Sequence, residues 1–151
     1  MKQGTFENEV FIQAKPDQII PFLVDHRNHV RFHPLITAVD EVPPPAGALR
    51  RFFITDQLIW GPFHFKIKYR ADVIRTTENE MLTEAYQSPG TYITNHSTFM
   101  AEGNGTRMHE TITLKAPNLL FGYAFSQAKS AHGALVQRVK QVIEADLTSA
   151  S

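Results

Sequence analysis

The chain has 151 residues, 42% hydrophobic and 20% charged, enough apolar material for one domain spanning 1–151 to bury a core without staples. Lys plus Arg and Asp plus Glu both number 15, so no net field recruits nucleic acid or anionic lipid. Cysteine is absent, which removes disulfides, thiolate metal sites and a cysteine nucleophile together.

In chain order, NEVFIQA (8–14) alternates and reads as a first strand. KPDQIIPFLVDHRNHVRFHP (15–34) follows, with Pro16 and Asp17 suited to a helix start. Pro21 removes a hydrogen bond and crowds the preceding turn, which predicts two short helices or one kinked helix. LITAVDEV (35–42) is a second strand, ended by PPPAG (43–47), which cannot join a ladder. From 48 to 115 the period stays near two, predicting strands at 49–60, 63–76, 81–88, 92–102 and 105–115. Gly61-Pro62, TENE, Pro89-Gly90 and Gly103-Asn104 separate them. From 118 to 147 apolar residues recur at three and four: Phe121, Ala124 or Phe125, Ala128, Ala131, Leu135, Val139 and Val142. That spacing is one long amphipathic helix.

The expected fold class is therefore α+β. A seven-stranded antiparallel curved sheet wraps the long C-terminal helix, with two short helices after the first strand. No stretch is long and apolar enough to span a bilayer, and the acidic opening MKQGTFENEV is no secretory leader, so a cytoplasmic protein without stable membrane insertion is expected.

The segments IQAKPDQIIPFLVD, RFHPLITAV and GNGTRMHETITL before a long helix carry a family resemblance. The sequence resembles the helix-grip superfamily, which includes START lipid-transfer domains, the birch-pollen-allergen family and polyketide cyclase/dehydrase-like proteins (SRPBCC). The resemblance covers nearly the whole chain. It implies a sheet wrapped around the last helix with a ligand cavity between them, and it leaves the content of that cavity open. Pro21 and PPPAG depart from the usual pattern.

Strand registers predict what faces that cavity. A two-residue turn at Gly61-Pro62 puts Ile54, Asp56, Leu58, Phe65, Ile67 and Tyr69 on one face, and His64, Lys66, Lys68 and Arg70 on the other. A turn at Gly103-Asn104 sets Phe99 by Met108, Ser97 by Glu110 and Asn95 by Ile112. A turn at Pro89-Gly90 adds Tyr86 beside Ile93 and Glu84 beside Asn95. A slip of one residue in any register flips its side chains. The helix contributes Ala128, His132 and Leu135, and its run of Ala and Ser leaves room on the order of hundreds of cubic ångströms.

Carboxylates on an apolar face must be paired, protonated or solvated in a cavity. Two readings stay open. The first is a module that binds a small hydrophobic molecule such as a lipid, isoprenoid or polyketide. The alternative is an enzyme of cyclase or dehydratase type, with Asp56 and Glu110 as general acid and base and the Tyr69 hydroxyl polarising a carbonyl. The spacing of His26, His29 and His33 beside Asp25 could gather a metal, but His33 falls where the resemblance implies a structural segment. No metal, cofactor or nucleic-acid partner is expected, and a homodimer is left open.

Overall fold

The computed structural model describes residues 1–150, with Leu58, Ile59 and Trp60 described by backbone alone. In order come β1 (Lys2–Ile12), α1 (Pro16–Val24), a 3-10 helix (His26–Arg31), β2 (Ile36–Val42), β3 (Arg50–Trp60) and β4 (Phe63–Thr76). β5 (Glu80–Gln87), β6 (Thr91–Glu102), β7 (Gly105–Ala116) and α2 (Asn118–Ala150) complete the chain. The seven strands form one antiparallel sheet in the order β1-β7-β6-β5-β4-β3-β2. This is the architecture expected from the alternation of apolar and polar residues.

Three details differ from the sequence-based expectation. β1 begins at Lys2, not near residue 8, and pairs with β7 along its whole length from Lys2–Ala116 to Ile12–Thr106. Pro21 does not break α1; the break falls at Asp25, whose carboxylate accepts from the Arg27 backbone N–H and caps the 3-10 helix. The β5–β6 connection has three residues, pairing Gln87 with Thr91 across Ser88, Pro89 and a Gly90 at φ 52°. Three-residue hairpin loops seat a left-handed residue in this way.

The core is filled at one end of the sheet. Val136, Val139 and Ile143 of α2 pack there with Ile12, Ile19, Leu23, Phe99 and Met108. A second cluster joins Ile36, Phe52, Ile54, Ala71 and Val73. Of the predicted stripe Val139 is buried and Leu135 and Val142 pack half-buried against the core, while Val136 and Ile143 are buried in addition and Ala131 is exposed. α2 lies along β1 and β7 and stands away from β3 and β4. Its N-terminal half can settle on β1 because Gly4 has no side chain: a Cβ there would sit 2.8 Å from the rings of both Phe121 and Phe125. Among the described residues no helix is long and apolar enough to cross a membrane.

Candidate functional site

β3 and β4 meet across Gly61-Pro62 with Asp56 opposite Ile67 and Ile54 opposite Tyr69. Period-two alternation then carries one face of β3 from the fully buried Phe52 through Ile54, 2% exposed, to Asp56. Past Gln57, whose N–H still donates to the Leu35 carbonyl at 2.8 Å, the hairpin loses its neighbours. β2 pairs with β3 no further than Asp56, and β5 reaches β4 no further than Arg70. The tip is a two-stranded arm. On the face it shares with Asp56, Phe63 is 60% exposed and Phe65 47%, while Ile67 and Tyr69 are half-buried. The exposed Phe63 and Phe65 leave any space between this face and α2 open at the tip, a cleft and not a closed cavity. A separate groove of about 320 Å³, between the Val30–Pro34 segment and Arg138 of α2, takes in none of the residues expected to line the ligand space.

Asp56 is the unusual group of the cleft. Its Oδ1 is buried with no hydrogen-bond partner among the described residues. Loss of water around the carboxyl lifts its pKa from 3.8 to about 6. Burial, and then the charge of Asp56, push the Tyr69 hydroxyl above its ordinary value. Near neutral pH Asp56 therefore exchanges a proton easily, and its Oδ1 has no donor among the described residues.

Glu110 is the opposite case. It is 4% exposed, yet both oxygens are occupied: Asn8 Nδ2 donates to Oε1 at 3.0 Å and Asn95 Nδ2 donates to Oε2 at 3.0 Å. Ser97 Oγ donates to Asn95 Oδ1 at 3.1 Å, and His132 Nδ1 of α2 lies 3.7 Å from Glu110 Oε1. This network ties β1, β6, β7 and α2 together beneath the cleft. Asn8 is the member that sequence reasoning missed. Its signal was the inward series Phe6, Asn8, Val10, Ile12, hidden because β1 was read as starting at residue 8.

The remaining expected residues divide. Glu84 and Tyr86 lie on the outer face: Glu84 pairs with Thr94 and Asp72, and Tyr86 with Tyr92 and Arg70. The third loop residue moves the register by one and turns both side chains over. There Glu84 is solvent-exposed, while the Arg70 guanidinium sits over the Tyr86 ring at 5.4 Å. Phe99 and Leu135 belong to the filled end, packed with Val136 and Val139. The correct face was predicted for Phe99, but depth along a strand has no signal in alternation. Ile112 is fully buried. Ala128 and His132 are half-buried on α2, and the side chain of Leu58 lies outside the described residues.

His26 and His29 stack at 4.2 Å, with His26 also stacked on Phe52 at 4.7 Å. Burial lowers both: His26 well below its usual value and His29 to about 4. They are packed, neutral rings. Among the described residues no group of three His, Asp or Glu is placed to hold a metal.

No protein-family model matches the sequence, and no curated protein sequence matches it. Solved structures do match in three dimensions. The di-domain aromatase/cyclase StfQ of the steffimycin biosynthetic pathway superposes with a TM-score of 0.77 at 12% identity, covering 97% of this chain and 52% of StfQ. The Zhui aromatase/cyclase from Streptomyces sp. R1128 gives 0.71 at 11% identity over 95% of this chain and 94% of that one. The chain has the helix-grip fold. A third helix-grip structure, a Thalictrum flavum norcoclaurine synthase point mutant in complex with a transition-state analogue, matches at 0.70 and 12% identity over 99% and 98% of the two chains. At these identities the likeness is one of fold, and chemistry has to be argued from the cleft itself.

Proposed function

We propose that this helix-grip protein binds a small hydrophobic molecule in the cleft between β3–β4 and α2, with Asp56 meeting a polar group on that molecule. The observation that carries this reading is a buried carboxyl oxygen without a partner among the described residues, set among half-exposed Phe65 and Ile67. A ligand that covers ~200 Å² of apolar wall gains about 5 kcal/mol from burial before association costs. A donor on the same ligand would satisfy Asp56 Oδ1. Neighbours of the same fold with aromatase/cyclase and synthase activities support an organic ligand of small size. Native mass spectrometry of freshly purified protein checks it. A bound species of a few hundred daltons (~300, on the scale of such pockets), released on denaturation, is the expected result; ligand-free protein that also refuses apolar dyes would refute it.

A second reading rests on the same carboxyl. A group that titrates at about 6 in an apolar cleft suits general acid–base work on a carbonyl compound, with the Tyr69 hydroxyl as hydrogen-bond donor. Glu110 has no part in this reading, because both of its oxygens already accept amide hydrogens. Under the cyclase or dehydratase alternative, Asp56→Asn keeps fold and ligand but lowers turnover on the order of a hundredfold. Unchanged turnover would leave the binding role alone.

A further inference from the structure

Six of the large hydrophobic side chains exposed among the described residues stand at one end of the molecule: Phe63, Phe65, Tyr92, Leu119, Leu120 and Tyr123. The antiparallel order explains the gathering. It brings the start of β4, the β5–β6 loop, the end of β7 and the first turn of α2 to a common end. Tyr92 pairs with Lys115, and a Cβ at Gly90 would lie 3.4 Å from the Pro117 ring just before α2. These are protrusions, not a flat patch: Leu119 is 99% exposed and Tyr123 is 74% exposed. Several stand on the β3–β4 arm and the first turns of α2, the two elements between which the cleft is proposed.

The same end is cationic. Lys2, Lys66, Lys68 and Lys115 are all exposed there. The segments that build it, 1–6, 57–68, 88–95 and 111–123, contain no Asp or Glu. Acids border these segments, with Asp56 opposite Ile67, Glu84 opposite Thr94 and Glu7 opposite Thr111, while the four lysines stand on the segments themselves. On the arm the two properties are split by face: Phe63 and Phe65 on one side, His64, Lys66 and Lys68 on the other.

We propose that this end docks on an anionic lipid bilayer, so that the cleft mouth faces the surface from which its apolar ligand is taken or to which it is given. Apolar tips that sink into the headgroup boundary, with lysines beside them at phosphate level, are what such a surface rewards. A second copy of the chain is a poorer occupant, because a symmetric contact would press these lysines against their own counterparts. The proposal rests on the cleft reading only for what passes through the mouth; the docking itself stands on the rim.

Flotation with vesicles tests it. The protein is expected to float with phosphatidylcholine vesicles containing phosphatidylserine, to stay behind with phosphatidylcholine alone, and to detach as salt rises. The double variants L119E/Y123E and K66E/K115E each lower flotation by about tenfold or more. M100E, at the far end of β6 with Met100 66% exposed, leaves it unchanged. The substituted side chains are exposed, and circular dichroism verifies that each variant is folded. No flotation with the mixed vesicles at low salt, an equal loss in M100E, a dimer that hides the rim, or an acidic protein bound in place of vesicles would each overturn the proposal. Native mass spectrometry of L119E/Y123E separates the two readings: retained ligand with lost flotation keeps the cleft and assigns the rim its own role, whereas flotation of a protein that carries no ligand keeps the rim and removes the cleft.

Discussion

The two halves of α2 meet the same curved sheet on different terms. In the C-terminal half, Val136, Val139 and Ile143 are all at most 5% exposed and interlock with Phe99, Met108 and the apolar side of α1. In the N-terminal half, Ala124 and Ala128 are only half-buried, Phe121 and Phe125 lean on β1, and the arm of β3–β4 is left uncovered. Branched side chains at one end make a plug, and alanines at the other make the roof of the proposed cleft. One amphipathic helix can therefore hold a fold together and leave a site open, because residue size varies along a stripe whose period stays the same.

Substitutions at the two ends give the contrast numbers. The largest effect belongs to Phe52, fully buried and stacked on His26: F52A is expected to cost about 3–5 kcal/mol in urea unfolding. An acid limb should come next. His29 is held neutral to about pH 4 when folded, while an unfolded histidine takes its proton near 6.5. The unfolded state then binds the extra proton, so stability is full above about 6.5 and falls as pH drops toward 4, by about 2–3 kcal/mol for this residue. H29Q should make that limb shallower in a series of urea midpoints against pH, with the buried His26 keeping the remainder.

Asp56 has the reverse sign. Its folded pKa is raised, so its contribution is fully present below about pH 4 and is lost as pH rises through about 6. D56N should match the parent protein in stability at pH 4. At pH 8 it should exceed it by about 1–2 kcal/mol, a figure reduced for solvent screening at a partly exposed group. The smallest effect is expected for F65A at the open end, within about 0.5 kcal/mol of the parent protein, together with weakened uptake of apolar dye. If F65A destabilised the protein as much as F52A, the distinction between a filled end and an open one would fail.

The legibility of these features in the sequence followed the turns. Gly61-Pro62 is a two-residue turn in the structure, so the pairing of Asp56 with Ile67 and Ile54 with Tyr69 could be written down from spacing alone. Ser88-Pro89-Gly90 fits a two- or a three-residue loop equally well on composition, and the extra residue sent Glu84 and Tyr86 to the outer face. Depth was invisible for a different reason. Alternation tells which face Phe99 occupies and helical spacing which face Leu135 occupies, but how far each lies from the cleft depends on where α1 and α2 cross the sheet. Asn8 stood at the first residue of the predicted strand, and its inward face went unread because MKQGTFE offers few apolar residues to extend the alternation and Gly4 serves the packing of two rings.

The most direct measurement is a fluorescence titration with an apolar anilinonaphthalene dye, comparing the parent protein with A128W, in which an indole fills the space under the roof. Saturable binding at one site in the parent, weakened by about tenfold or more in a folded A128W, is the result expected of an open cleft beneath α2. Equal binding in both proteins, or none in the parent, would mean that no ligand enters there.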